Sequence, residues 1–168
     1  TAKLSFDYIL SAEGSSYDYL SVNGKRITTS ANDSSWETHS VTVNRGDTVT
    51  IAYRKDYSGD KLDDCIYLRN FQLAELHTLT IIPEDSDGNP VSAAEIVLKD
   101  SKGDTVSGSK GAYVIEDGTY NYTISSFGFE TIENGTVIIN GIDRTEKVLL
   151  IKKTTQKVSF NISLPDGL

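Results

Sequence analysis

The chain has no methionine, one cysteine, three prolines, two histidines and one tryptophan in 168 residues. Each shortage closes a route. The single thiol, Cys65, has no partner for an internal disulfide, so no covalent staple holds the fold. One Cys with two distant histidines, His39 and His77, cannot assemble a zinc site. Neither histidine sits near a Gly-x-Ser-x-Gly nucleophile elbow, and the neighbour of Cys65 is an acid, Asp64, rather than a base that would activate a thiol. A buried, inert strand cysteine and no catalytic residue are therefore expected, and the chain reads as no enzyme. Long apolar runs are also missing. No stretch approaches the roughly 18 apolar residues of a membrane span, so no membrane insertion is expected in this segment. Positive charge is scarce, with 16 Lys+Arg against 24 Asp+Glu and a net charge of −8. The basic residues are scattered, the densest pairs being Lys25-Arg26, Arg54-Lys55 and Lys152-Lys153. That argues against nucleic acid and anionic membrane as partners.

Helical periodicity is absent as well, apart from a turn near Ser92-Ala93-Ala94, and what remains is β. Leu4, Phe6, Tyr8 and Leu10 alternate with polar residues. Tyr17 to Val22 runs into Asn23-Gly24, a strong hairpin signal, and Lys25 to Thr29 returns from it. Val41 and Val43, Thr48 to Tyr53, and Cys65 to Leu73 complete a first series. A second series begins at Leu76: Leu79 to Ile82, Ala94 to Lys99, Gly111 to Ile115, Gly118 to Ser125, Gly135 to Ile139 and Glu146 to Ile151. Short strands at spacings of about ten residues predict β-sandwiches. The expected fold is all-β, with two tandem β-sandwich modules over 1–75 and 76–153. Residues 157–167, ending in Pro165-Asp166-Gly167, repeat the pattern of 79–88, so 154–168 reads as the start of a further module or a tail. The chain reads as a segment of a longer protein.

Two resemblances sharpen this outline. Asp87-Gly88-Asn89-Pro90-Val91 to Leu98, with Gly118-Thr119-Tyr120 to Ile124 and Gly128-Phe129-Glu130, resembles the carboxypeptidase regulatory-like family. That resemblance covers 77–152 and implies a transthyretin- or prealbumin-like sandwich, an Ig-like Greek key, used chiefly as a passive accessory domain. Gly118 is expected to turn the chain tightly, Tyr120 and Tyr122 to bury their rings on one face, and Gly128 to take a positive φ before Phe129. Related adhesin repeats carry a Lys–Asn isopeptide bond, but the first strand Leu79-Thr80-Ile81-Ile82 holds no lysine for one. Residues 1–73 resemble a jelly-roll-like module of large bacterial surface proteins, through Phe6-Asp7-Tyr8, Tyr17 to Leu20, Trp36 and Tyr53 to Ser58. The strands that precede such a Phe-x-Tyr segment in its relatives are missing, so this module is expected to be incomplete or smaller.

Candidate sites are few. Asp56, Asp60, Asp63 and Asp64 crowd one loop and are the candidate calcium ligands, although Lys61 lies among them and no EF-hand spacing is present. Asp85-x-Asp87-Gly88-Asn89 is a second calcium candidate, but Asp, Asn and Gly are plain turn formers and it reads better as a turn. The first module is rich in aromatics (Tyr17, Tyr19, Trp36, Tyr53, Tyr57, Tyr67), of which Tyr17, Trp36 and Tyr57 are the candidates for stacking on sugar rings. Arg45-Gly46-Asp47 reads as a turn, and the sequons at Asn32, Asn121, Asn134 and Asn161 as chance in a Ser/Thr-rich chain. The leading functional reading is a non-catalytic structural or adhesive segment of a larger bacterial cell-surface or secreted protein. The alternatives are a carbohydrate-binding accessory segment of an extracellular hydrolase and a calcium-dependent adhesion module. No cofactor is implied beyond calcium, and the partners in view are a glycan or a host or neighbouring protein.

Overall fold

The computed structural model describes residues 1–13, 17–28, 35–57, 59, 62–154 and 158–161. Asp60 and Asn32 lie outside them. The described residues form twelve strands and no helix: β1 (Ala2–Ser11), β2 (Tyr19–Val22), β3 (Lys25–Arg26), β4 (Glu37–Val43), β5 (Ile51–Arg54), β6 (Cys65–Glu75), β7 (His77–Glu84), β8 (Glu95–Lys99), β9 (Ala112–Ile115), β10 (Gly118–Ser125), β11 (Ile132–Ile139) and β12 (Arg144–Leu149). They pair into four three-stranded sheets, ordered β4-β1-β6, β3-β2-β5, β11-β10-β8 and β12-β7-β9. The chain divides into two compact units. Thr1–Thr78 with Val114–Asp117 and Ile139–Asp143 form the first, and Leu79–Tyr113, Gly118–Ile138 and Arg144–Leu168 the second.

In the first unit β1 is the central strand, antiparallel to both β4 and β6. Its alternation sends Phe6, Tyr8 and Leu10 inward, all buried. Phe6 and Tyr8 pack with Leu20 and Val22 of β2 in one apolar cluster, fringed by Val41, Ile51, Ile66 and Leu68. Burying each such side chain contributes about 1.5–3 kcal/mol. The hairpin β2–β3 turns at Asn23 (φ 50) and Gly24 (φ 77), the two left-handed residues of a type I′ turn. The Asn23 side chain accepts from the Thr50 amide at 2.9 Å and ties the hairpin to the start of β5. Residues 48–50, read as strand from their β-branched side chains, precede β5 without pairing in the ladder.

The β1–β6 ladder contains a bulge. Ser5 faces Gln72 and Asp7 faces Arg69, so Phe6 faces two residues, Asn70 and Phe71. Asn70 takes φ 53, which Asn tolerates better than most residues. The extra residue reverses parity. Ile66 and Leu68 lie on the same side of the sheet as Phe71 and Leu73; the latter two are exposed, and Phe71 stacks on Phe6 with centroids 5.4 Å apart.

In the second unit β7 lies between β12 and β9. β7 and β12 run parallel, from Leu79 opposite Arg144 to Glu84 opposite Leu149. Leu79, Ile81, Leu98, Tyr113, Tyr120, Tyr122, Ile124, Val137, Val148 and Leu150 are buried. Tyr120 and Tyr122 thus bury their rings as expected, and Gly128 takes φ 82. Gly118 differs from expectation: it opens β10 without a positive φ, so no tight turn depends on it. The expected turn at residues 92–94 is present, with the Ala94 amide donating to the Val91 carbonyl at 3.0 Å. Two corners share one design. In Asp85-Ser86-Asp87-Gly88-Asn89 and Asp100-Ser101-Lys102-Gly103-Asp104 the first carboxylate accepts two backbone amides of its own loop, at 2.9–3.0 Å. Asp85 is therefore spent on its turn, and those amides, Asn89 first, hold its pKa below the ordinary value.

Gly135 of β11 is needed for a different reason. The Tyr122 ring lies across it, and an added Cβ would stand 2.0 Å from the ring. Gly135→Ala is expected to cost about 1–3 kcal/mol in urea unfolding. The exposed neighbour Asn134→Ala should stay within about 0.5 kcal/mol of wild type.

Candidate functional site

The outward face of β4-β1-β6 carries the polar chemistry of the first unit. Residues of alternate parity to the core project there in rows set by the register. Thr38 of β4, Asp7 of β1 and Arg69 of β6 form one row, and Ser40, Ser5 and Gln72 the next. Ile9 of β1 pairs with Tyr67 of β6, while Trp36 immediately precedes β4 on the parity of Thr38. The Arg69 guanidinium lies over the Trp36 ring, 3.7 Å from its centroid. Trp36 remains 37% exposed and Tyr67 45%.

Asp7 is the hub of this face. Its Oδ2 accepts from Asn70 Nδ2 at 2.7 Å and lies 3.5 Å from Arg69 Nε, while its Oδ1 accepts from the Thr38 hydroxyl at 2.8 Å. Donors from both neighbouring strands, one of them the bulge residue itself, thus converge on one carboxylate. The Asn70 bond, then the Thr38 bond, holds its pKa below the ordinary 3.8.

Beyond the Trp36–Tyr67 row the face meets the acidic loop that follows β5. Asp63 Oδ2 accepts from Ser11 Oγ at 3.2 Å and from the Tyr67 hydroxyl at 3.1 Å. Asp64 Oδ1 accepts from the Tyr53 hydroxyl at 2.8 Å, and its Oδ2 pairs with Lys55. Hydrogen bonds to Cys65 and then Asp63 push the Tyr67 phenol up to about 12, and burial, then Asp18, pushes Tyr53 up to about 12. Asp18 is fully buried. Its Oδ1 accepts from the Asp56 amide at 3.0 Å, and its Oδ2 has no hydrogen-bond partner among the described residues.

The predicted residues fall as follows. Asp56, Asp63 and Asp64 lie on this loop, with Asp63 and Asp64 engaged by hydroxyls and a lysine, while Asp60 lies outside the described residues. Among the described residues no three of His, Cys, Asp and Glu are grouped to hold a metal ion. Tyr17 and Tyr57 are exposed on loops, whereas Trp36 stands with the sheet face. Cys65 is half-buried at the start of β6, less enclosed than its strand context suggested. His39 tilts against Phe6, with centroids 5.8 Å apart, and burial, then Lys25, holds its pKa below 6.5. His77 is buried with Nε2 3.3 Å from Asp117 Oδ1. Asp7, Arg69 and Asn70 were not singled out from sequence. The signal for Asp7 was its place between inward Phe6 and Tyr8, which forces it outward, and for Arg69-Asn70 the break in the alternation of β6.

Comparison of the chain with family models, with curated proteins and with solved structures gives no match.

The lowered Asp7 pKa has a pH signature. A depressed carboxylate contributes stability above its unfolded value, and that contribution disappears as pH falls through the folded value. The stability gap between wild type and Asp7→Asn should therefore be full above pH 3.8 and close at lower pH. Thermal melts across an acid series check this, and a gap that does not change with pH would contradict it.

Proposed function

We propose that the chain is a non-catalytic structural or adhesive segment of a larger bacterial cell-surface or secreted protein. On this reading the four sheets make two tandem β-sandwich modules, the first jelly-roll-like and the second prealbumin-like. The observation that carries the proposal is how the strands meet a pulling force. In chain order β7 is the first strand and β12 the last strand to contribute to the second unit, and these strands are parallel neighbours. Pulled in opposite directions, a parallel pair bears the load on its evenly spaced hydrogen bonds together, in shear.

The first unit meets tension differently. Near the two ends of its main segment, Thr1–Thr78, Ala2 and Glu75 face each other across an antiparallel ladder. Force there opens the ladder one pair at a time. A segment combining a peeling unit with a shear-loaded unit suits a tether that stretches before it breaks.

Single-molecule pulling of the whole chain, in a Cys65→Ser background, tests the proposal. Two unfolding events are expected, the first unit at lower force and the second at clearly higher force. Attaching the handles through Asp87→Cys and Lys152→Cys should remove the high-force event. Those positions follow the adjacent ends of β7 and β12, so the same ladder would then be unzipped rather than sheared. If the second unit yields no later than the first, or resists equally in both geometries, the load-bearing role is wrong.

A further inference from the structure

We infer that the outward face of β4-β1-β6 binds a neutral polysaccharide chain, its sugar rings against Trp36 and Tyr67 and its hydroxyls on the row formed by Thr38, Asp7, Asn70 and Arg69. This goes beyond a tether and rests on the first unit alone. It gives the segment something to hold.

A solvent-facing sheet surface is by default merely polar. Three features set this one apart. The first is the aromatic row. Trp36, one residue before β4, and Tyr67 of β6 flank β1 on its two sides, which places them about 10 Å apart from the spacing of strands. That is the span of a disaccharide. The Arg69 guanidinium on one face of the indole pins Trp36, and such a pair contributes about 0.5–1 kcal/mol at an exposed site. A platform fixed before the ligand arrives loses less entropy on binding.

The second feature is the planar polar row beside it. Pyranose hydroxyls come as vicinal donor–acceptor pairs. Carboxylate, amide and guanidinium groups offer matching pairs of acceptors and donors. Asn70 and Thr38 donate to Asp7 and Arg69 pairs with it, so the one carboxylate holds the row in place. Ser40, Ser5 and Gln72 continue the same chemistry one row along.

The third feature is charge. Asp7 and Asp63 border the aromatic row, and the whole chain carries −8. An anionic polymer would be repelled, so the ligand is uncharged. An open sheet face suits an extended chain with equatorial hydroxyls rather than a small free sugar.

Trp36 is the sole tryptophan, so its fluorescence reports on this face directly. The test is affinity gel electrophoresis of the 168-residue chain in laminarin, mixed-linkage β-glucan, xylan and galactomannan, with fluorescence titration by whichever retards it. Pectate and heparin serve as anionic comparators. Saturable retardation by at least one neutral polymer is expected, together with a change in Trp36 emission. Trp36→Ala should abolish retardation. Asp7→Ala should weaken binding at least tenfold and Tyr67→Ala several-fold, while Phe127→Ala, on an exposed loop of the second unit, should leave it unchanged. Melting curves separate lost binding from lost folding, and Arg69→Lys provides a milder second variant that should weaken binding by removing the planar stack. No retardation by any neutral polymer overturns the inference. So does retention of binding in a folded Trp36→Ala protein, or binding confined to the anionic polymers. None of these results bears on the pulling experiment, which depends on β7 and β12.

Discussion

One extra residue in β6, opposite Phe6, decides what each side of the first unit carries. A strand sends successive side chains to opposite faces, so a single insertion reverses every assignment beyond it. With Asn70 in the left-handed region, Phe71 and Leu73 after it fall on the same side of the sheet as Ile66 and Leu68 before it, although Phe71 and Leu73 remain exposed. The same insertion brings Asn70 beside Asp7, where its amide makes the shortest contact to that carboxylate, at 2.7 Å. Core and candidate site are thus fixed by one backbone irregularity. Without it Phe71 would lose its stacking on Phe6, and Asp7 would lose the donor that contributes most to keeping it ionised.

Most strands were legible because each pairs a β-branched or aromatic alternation with a turn residue that has a mechanical reason to be there. Asn23-Gly24 and the two Asp-Ser-x-Gly corners are such residues, and the structure places turns at all three. Residues 48–50 show the limit of propensity, since Thr-Val-Thr is a strand composition left without a ladder partner. Gly118 shows another, because a glycine at a strand start need not bend anything. Pairing was the illegible part. Nothing in the side chains of β7 and β12 says that they run parallel, because direction is set by how the intervening chain is routed. The candidate site was half legible. Trp36 stood out by residue type, but its companions Asp7, Arg69 and Asn70 are ordinary polar residues until the register lines them up.

The two units solve the same burial problem with different consequences. The first groups its polar side chains on one open sheet face and at one loop end, where their hydrogen bonds are mostly to each other. The second spends its notable carboxylates, Asp85 and Asp100, on its own corners. On the reading proposed above, recognition falls to the first unit and load to the second, so a binding face can vary without touching the strands under load.

The parallel pairing also sets the order of assembly. Leu79 meets Arg144, and nearly all of the second unit lies between them in sequence. Closing so long a loop is slow. A ribosome must release Leu149 before the ladder can form in full. Until then Leu79, Ile81 and Tyr113, all destined for the interior, belong to a sheet that still lacks one of its strands. Newly made chains are at their most vulnerable to wrong pairing in that interval.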